Sequence, residues 1–241
     1  MLILNGGVPR SGTTWVFNII RTIFNIEGTE IATTDGHTPD RLKAAIDSYD
    51  GKHPLLVHYH DILEPIESIA TQPFVRSFYS YRDPRDVVVS MRGLHDCTFD
   101  EAIGMVAMCF KYVAAAAHIH DNMFIPYEYL YSSPRPIVLE IGQRLGYLLK
   151  LSDVERIIDD TAAQNWEPII QKLNHSKSVG GTLTVDTGIR VIRYDEQTMI
   201  NDRHIQSGEL GRWRSELTKA QQVKANEAFA YVIGGLGYAR D

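Results

Sequence analysis

The chain has 241 residues, which suffice for one α/β domain with a well-buried core, and we expect a single domain over residues 1–241. Its net charge of −6 argues against a broad nucleic-acid surface, because such a surface carries a basic excess. No apolar run approaches the roughly 20 residues of a membrane helix, so no membrane-spanning segment is expected. The two cysteines, Cys97 and Cys109, lack companion ligands at zinc-site spacing, which favours buried thiols.

The first motif is a glycine-containing loop between a short apolar run and a helical pattern. Residues 2–4 predict a strand, and residues 15–26 carry apolar side chains at helical spacing. The loop contains Pro9, Arg10, Ser11, Gly12, Thr13, Thr14 and Trp15. Glycine lets the backbone approach a ligand, and the N–H groups and dipole of a helix start attract an anion. This strand–loop–helix order predicts a phosphate or sulfate site.

Details of the loop argue against an ordinary ATP or GTP site. Gly7 and Gly12 have Walker-type spacing, but Thr13 stands where a Walker loop has its lysine, and the cation is Arg10 instead. At seven consecutive positions the loop resembles the 5′-phosphosulfate loop of the sulfotransferase family, P-[KR]-S-G-T-T-W. The resemblance implies a three-layer α/β/α fold with a central parallel sheet, similar to the P-loop NTPases. It also implies 3′-phosphoadenosine 5′-phosphosulfate (PAPS) as the donor, and no metal.

The resemblance also implies roles for the loop residues. The N–H groups of the loop, with the Thr13 and Thr14 hydroxyls, would hold the 5′-phosphate. Arg10, in place of the usual lysine, would steady the bridging oxygen; because arginine keeps its charge, we expect stabilisation there and not proton donation. Trp15 is either a core residue or, like the matching tryptophan of the family, lies against the adenine.

The next candidate site follows a predicted helix over residues 39–49. Residues 54–61 predict a short buried strand that ends in polar residues, and ligands bind at the carboxyl ends of such strands. In the family, a strand at this place ends in Lys-Thr-His, and its histidine is the catalytic base. His60 aligns with that base and His58 with the lysine; a shift in register that makes His58 the base stays open.

A second motif begins at the end of a predicted strand over residues 73–81. Asp83 is a good N-cap, so Arg82 lies at a strand end and Ser90 two turns into a helix. Residues 81–90 resemble the family signature Y-R-N-P-R-D-V-x-V-S, in which the first arginine and the final serine hold the 3′-phosphate. Arg85 is expected only to pair with Asp83 or Asp86.

Further along the chain, residues 98–120 predict a long helix and residues 123–126 a strand. The following Tyr127-Glu128-Tyr129-Leu130 resembles the family segment Y-E-D-[LM], with Tyr129 in place of the aspartate. The resemblance implies that Tyr127 contacts the nucleotide.

Two more helices are predicted over residues 137–149 and 152–160, the second with Ser152 as its cap. The family has a phenylalanine that stacks on the adenine in the stretch that follows. By position, Trp166 is the candidate for that role.

Residues 182–194 alternate polar and apolar side chains around Asp186-Thr187-Gly188, which predicts a β-hairpin insertion. The family pattern has no counterpart for it, so a lid, an acceptor-binding insertion and a simple decoration all stay open. Residues 218–233 predict a closing amphipathic helix.

A third motif, residues 206–213, resembles the family signature R-K-G-x-x-G-D-W. Gly208, Gly211 and Trp213 match, but Gln206 and Ser207 replace the Arg-Lys pair. The resemblance places Gln206, Ser207 and Gly208 at the 3′-phosphate, where ion pairs would need Arg203, His204 or Arg212 as substitutes.

Together the motifs predict an enzyme that moves a sulfuryl group in line from PAPS to a hydroxyl or amine of a small-molecule acceptor, with a histidine base. A P-loop nucleotide kinase is an alternative, although the chain has neither a Walker lysine nor an obvious metal-binding carboxylate after a strand. A non-catalytic protein that binds the bisphosphate nucleotide is another. The first loop begins within ten residues of Met1, which predicts no cleaved signal peptide and a cytoplasmic protein.

Overall fold

A computed structural model describes residues 1–60, 64–69, 71–175, 182–186, 191–203 and 208–239. Five strands form its centre: β1 (Leu2–Gly7), β2 (Ala32–Asp35), β3 (Leu55–His58), β4 (Val75–Tyr81) and β5 (Asn122–Pro126). They make one parallel sheet in the order β2, β3, β1, β4, β5. Two further strands, β6 (Thr182–Asp186) and β7 (Val191–Asp195), pair antiparallel, as the hairpin prediction required. The turn between them lies outside the described residues.

Helices connect the strands and cover the sheet. They are α1 (Thr13–Ile26), α2 (Pro39–Asp47), α3 (Glu64–Ile69), α4 (Pro84–His95), α5 (Phe99–Ala116), α6 (Tyr127–Ser132), α7 (Pro134–Arg144), α8 (Leu151–Thr161), α9 (Glu167–His175), α10 (Trp213–Glu216), α11 (Lys219–Ala228) and α12 (Ala230–Gly235), with a 3-10 turn at Ala163–Trp166. Among the described residues, no helix combines the length and the apolar character needed to cross a bilayer.

The central sheet is buried on both faces, which explains the nearly continuous apolar strands. Along β1, Leu2 and Leu4 point into one core and Ile3 into the other, because side chains alternate along a strand. Helices α1, α7 and α8 pack on the Ile3 face. Residues of α2, α4, α5 and α11 pack on the opposite face. The predicted α/β/α layering is confirmed.

Local structure agrees with the sequence at some ends of helices and differs at others. The Asp83 carboxylate accepts a hydrogen bond of 2.9 Å from the Arg85 N–H, as an N-cap does, and α4 starts at the next residue. The prediction of Ser152 as a cap is wrong, because α8 starts at Leu151 and Lys150 occupies the N-cap position. The closing helix is also not continuous, since Phe229, at φ −109°, separates α11 from α12.

Several features were not anticipated. Strand β2 is an edge strand with the sequence Ala-Thr-Thr-Asp, which has almost no apolar signal, and α9 was likewise missed. The two thiols, Cys97 and Cys109, are half-buried and not fully buried as predicted.

Candidate active site

The carboxyl ends of the central strands meet at one cavity of about 640 Å³. Most residues singled out from the sequence line it: Pro9, Arg10, Gly12, Thr13, Thr14, Trp15, His58, His60, Arg82, Ser90, Tyr127, Trp166 and Gly208. Gln206 and Ser207 lie outside the described residues. Residues that are far apart in sequence therefore share one site because parallel strands end at the same edge.

The glycine loop is hydrogen-bonded to β4. The hydroxyl of Ser80 lies 3.0 Å from the Ser11 hydroxyl and 3.0 Å from Thr13 Oγ1, and Ser11 Oγ also donates to the Ser80 carbonyl at 2.9 Å. Ser11 is fully buried and does not line the cavity, in contrast to its neighbours in the motif. Its side chain holds the loop in place under the site.

Gly12 is required by backbone geometry at the helix start. Its φ of 83° lies in the left-handed region, and a Cβ added there would lie 2.9 Å from the ring of Tyr127. The loop is therefore packed directly against the segment after β5. Arg10 adopts a φ of 69°, an uncommon value for a residue with a side chain.

Arg10 is a cation that lines the cavity. Its Nε donates to Ser90 Oγ at 2.9 Å, and no carboxylate of the described residues forms an ion pair with it. Burial, and secondarily the charge of Arg82, lower the pKa of Arg10 to about 10. The guanidinium is still charged at neutral pH, so this part of the cavity favours a bound anion.

Arg82 links the second and third motifs. It is buried, and its Nη2 donates to the Glu209 carbonyl at 2.6 Å and to Asp86 at 3.3 Å. The guanidinium lies 4.4 Å over the ring of Tyr127, whose hydroxyl donates to the Gly208 carbonyl at 2.9 Å. Arg82 Nε has no hydrogen-bond partner among the described residues. The geometry leaves a donor of this arginine available to a ligand.

Asp86 is a structural residue of the site that the sequence did not reveal. Its carboxylate accepts from the Gly211 N–H at 2.7 Å and from the Trp213 N–H at 3.1 Å. Arg85 pairs with Asp83 at 2.7 Å and lies 3.9 Å over the Trp213 ring, so it faces away from the cavity. The only signal for Asp86 was its place in the first turn of α4, beside Arg85.

Two tryptophans form the far wall of the cavity. Trp15 is half-buried, and its Nε1 donates to Thr161 Oγ1 at 3.1 Å. Trp166, from the 3-10 turn, lines the same cavity together with Tyr131. Their large apolar surfaces suit the flat face of an aromatic ring.

Histidines form another cluster on the cavity wall. His58 ends β3 and His60 follows two residues later; their ring centroids are 5.0 Å apart. His60 Nδ1 lies 3.0 Å from the Gly7 carbonyl oxygen, which can only accept a hydrogen bond, so in the neutral ring Nδ1 carries the proton. The lone pair of His60 is then on Nε2. His58 is 1% exposed and has the edge of Phe17 against it.

His37, just after β2, completes this cluster. Its centroid lies 5.0 Å from that of His58 and 5.3 Å from that of His60. The carboxylate of Asp35 contacts His37 Nδ1, but it also pairs with Arg41 at 2.6 Å. Burial therefore dominates and, helped by His60 and Arg41, lowers the pKa of His37 to about 3. Its imidazole is neutral at neutral pH.

The hairpin contributes to the same end of the cavity. Ile192 and Tyr194 of β7 line it, and the Tyr194 ring centroid is 5.2 Å from that of His37. Burial raises the pKa of the Tyr194 hydroxyl. Strand β7 therefore lines the candidate site, although it gave no functional signal in the sequence.

Comparison with known proteins agrees with this geometry. A family model described as the sulfotransferase domain matches residues 3–237. The structure of mouse sulfotransferase SULT7A1 complexed with PAP is similar at 16% identity, with a TM-score of 0.67 over 96% of this chain and 83% of that chain. Retinol dehydratase in complex with androsterone and the inactive cofactor PAP is similar at 17% identity and a TM-score of 0.61, over 96% and 80%. Another complex of retinol dehydratase, with retinol and PAP, matches at 17% and 0.61, over 96% and 81%. No curated protein matches the sequence significantly.

Proposed function

Because the chain belongs to the sulfotransferase domain family, we propose that it transfers a sulfuryl group from PAPS to a hydroxyl or amine of a small-molecule acceptor, with His60 as general base. One observation carries the proposal: three motifs, at residues 9–15, 82–90 and 208–213, meet at one cavity, and Arg10, Arg82 and His60 line it. Since each motif supplies a part of one site, we also infer that residues 1–241 act as a single domain.

The donor occupies the loop and tryptophan side of the cavity. The N–H groups at the start of α1, with Thr13 and Thr14, bind the 5′-phosphosulfate. Arg82, Ser90 and the backbone around Gly208 bind the 3′-phosphate, together with Gln206 and Ser207. The adenine lies against Trp15 and Trp166. Tyr127 contacts the nucleotide. The complexes of the structural neighbours with PAP support a donor of this class.

Transfer proceeds in line. The acceptor oxygen or nitrogen attacks the sulfur, and the bond from sulfur to the bridging oxygen breaks. The bond's electron pair stays on the 5′-phosphate oxygen, where the charge of Arg10 stabilises it. The acceptor proton moves to His60 Nε2, so the products are a sulfated acceptor and adenosine 3′,5′-bisphosphate. The residues of this chain supply each of these roles without a metal ion.

His60 is the better base of the two histidines. Its bond to the Gly7 carbonyl orients Nε2 as the proton acceptor and ties the base to the loop that holds the sulfuryl group. His58 is almost fully enclosed and packs against Phe17. We assign His58 a positioning role beside the base.

The acceptor binds at the histidine end of the cavity. Met91, Leu94 and Ile192 add apolar surface to the cavity, and Tyr194, beside His37, adds an aromatic ring with a hydroxyl. This wall fits an acceptor with an apolar body that carries its hydroxyl or amine toward His60. The structures similar to this chain include complexes with androsterone and retinol, which are molecules of this kind.

Calorimetric titration with adenosine 3′,5′-bisphosphate tests the donor site, with AMP and ATP as controls. We expect binding that requires the 3′-phosphate and that weakens about 10- to 100-fold in Arg82→Ala, because a charged hydrogen-bond donor is lost. Arg135→Ala removes the same charge from an exposed ion pair with Glu155 and should bind like the wild type. Arg82→Lys keeps the positive charge, so it shows whether the weaker binding of Arg82→Ala comes from the lost ligand contact or from a disturbed fold.

Two outcomes would contradict the proposal. Equal or tighter binding of ATP would favour the P-loop kinase. Tight bisphosphate binding without turnover of PAPS, across a panel of hydroxyl and amine acceptors, would favour a nucleotide-binding protein that is not an enzyme.

A further inference from the structure

Three histidines from the ends of two neighbouring strands form a triangle at the acceptor end of the cavity. The ring centroids of His37, His58 and His60 are 5.0, 5.0 and 5.3 Å apart. One ring nitrogen from each lies within 4.8 Å of the other two. All three residues line the cavity and are at least half-buried. Three imidazoles around a common point are a ligand set for a transition-metal ion.

The spacing of the rings matches tetrahedral zinc. A Zn–N bond is about 2.05 Å, and with the ring centre about 1.1 Å beyond the nitrogen, imidazoles at tetrahedral angles have centroids about 5 Å apart. The three observed distances are all close to this value. Small rotations of the side chains then bring the nitrogens to about 3.3 Å from one another, which tetrahedral coordination requires.

The partners behind the rings also match a metal site. Asp35 contacts His37 at Nδ1, and the Gly7 carbonyl lies 3.0 Å from His60 Nδ1. A metal-bound histidine usually donates its second N–H to a carboxylate or a carbonyl, which fixes the other nitrogen toward the ion. In both residues Nε2 is therefore the nitrogen that faces the shared space. The Asp35 carboxylate also offsets part of the charge of a bound dication.

We propose that His37, His58 and His60 bind one Zn²⁺ ion through their ring nitrogens, with the fourth position open to the cavity, and that bound zinc inhibits sulfuryl transfer. Inhibition rests on the proposed function: coordination uses the lone pair on His60 Nε2, which is the pair that accepts the acceptor's proton. Zinc and the acceptor proton compete for one atom. Removal of zinc by a chelator restores the base, so the inhibition is reversible.

Binding is tested without reference to activity. Protein freed of metal is titrated with Co²⁺, whose tetrahedral complexes absorb visible light strongly, and Zn²⁺ is then added to displace it. We expect one equivalent per chain, and at least about a 100-fold loss of affinity in His37→Gln and in His58→Gln, since even the loss of a residue that only hydrogen-bonds a metal ligand costs up to about 100-fold. Asp35→Asn should cost about 10- to 100-fold.

The control is His120→Gln, which removes an exposed histidine away from the cluster and should leave metal affinity unchanged. Circular dichroism of each variant checks folding; His37 is half-buried, so its variant provides a test even if His58→Gln does not fold. Absence of the visible band, or affinity that is equal in His37→Gln and the wild type, would overturn the zinc site.

Inhibition is tested with the same proteins. Zinc should abolish wild-type transfer and excess EDTA should restore it, whereas the remaining activity of His37→Gln should no longer respond to zinc at the same concentration. Activation by bound zinc, or no effect of it, would overturn the inhibitory role. A protein that shows the Co²⁺ band but no transfer under any condition would instead contradict the proposed function, so the two failures are distinguishable.

Discussion

The proposed donor half and the proposed acceptor half of the cavity are built in different ways. The donor half is a frame of hydrogen bonds between motif residues, such as Ser11 to Ser80 and Tyr127 to Gly208. The acceptor half is a group of ring contacts among His37, His60 and Tyr194, which come from separate segments. A rigid frame suits a donor of constant structure, whereas side chains contributed by several segments can vary without disturbing that frame. Substitutions in the two halves should therefore have separable effects.

The largest separable effect is expected at the base. His60→Gln should lower kcat by about 10²- to 10⁴-fold, the usual contribution of a general base. Its affinity for adenosine 3′,5′-bisphosphate should stay within about twofold, because an amide at this position can still donate to the Gly7 carbonyl. Steady-state kinetics and calorimetry measure the two quantities. A parallel loss of nucleotide affinity would show that the halves are not independent.

Substitutions of Arg10 test the charge that stabilises the leaving oxygen between the two halves. Arg10→Ala should lower kcat by about 10²- to 10³-fold, since a preorganised charge on the leaving oxygen is removed. Arg10→Lys keeps a charge but loses the Nε bond to Ser90, and we expect it to recover most of the rate. Rates at saturating donor are the measurement. A lysine variant as slow as the alanine variant would assign the effect to geometry and not to charge.

A single added methyl group, in Gly12→Ala, should strain the loop of the proposed donor half. Gly12→Ala should destabilise the fold by about 1–3 kcal/mol and weaken bisphosphate binding at least about tenfold, because Cβ meets the Tyr127 ring at a left-handed φ. The matched control is Gly104→Ala in α5, where a Cβ meets nothing within 4 Å. That change should be stabilising, as alanine favours a helix. Urea denaturation distinguishes the two variants.

A smaller effect is expected where one neutral hydrogen bond closes the donor frame. Tyr127→Phe removes the 2.9 Å bond to the Gly208 carbonyl, which is worth about 0.5–1.5 kcal/mol. Calorimetry should show up to about a tenfold rise in the Kd of the bisphosphate, with kcat at saturation unchanged. A change in kcat alone would place Tyr127 nearer to the reacting atoms than the structure does.

The smallest effect is expected on stability, at Glu128, which binds the residue that follows Arg82. Glu128 accepts from the Asp83 N–H at 2.9 Å and from the Tyr238 hydroxyl at 3.0 Å, and burial raises its pKa above the ordinary 4.5. A raised pKa contributes stability that is complete below the unfolded value and is lost as pH rises through the folded value. Glu128→Gln, which is always neutral, should therefore gain stability over the wild type as pH rises. Urea denaturation at about pH 4 and about pH 7 measures this difference; a constant difference would mean that Glu128 does not titrate in this range.

The sequence by itself determined the features that depend on neighbouring residues. The loop after β1 and the N-cap of α4 follow from backbone preferences over a few positions. The positions of Arg10 and Arg82 could be identified for the same reason, since each follows a strand within a short motif. Family membership was recognised from these motifs, and the family match over residues 3–237 confirms it.

Only the tertiary structure decided which distant side chains meet. His37 approaches His58 because β2 pairs with β3 in a register that places Asp35 opposite His58, and no local pattern specifies that pairing. Tyr194 reaches His37 because the hairpin packs over the sheet edge, and Ser11 is buried because Ser80 of the neighbouring strand lies beneath it. Such contacts are stabilised by burial between two segments. The hydrophobic periodicity of either segment alone therefore does not predict them.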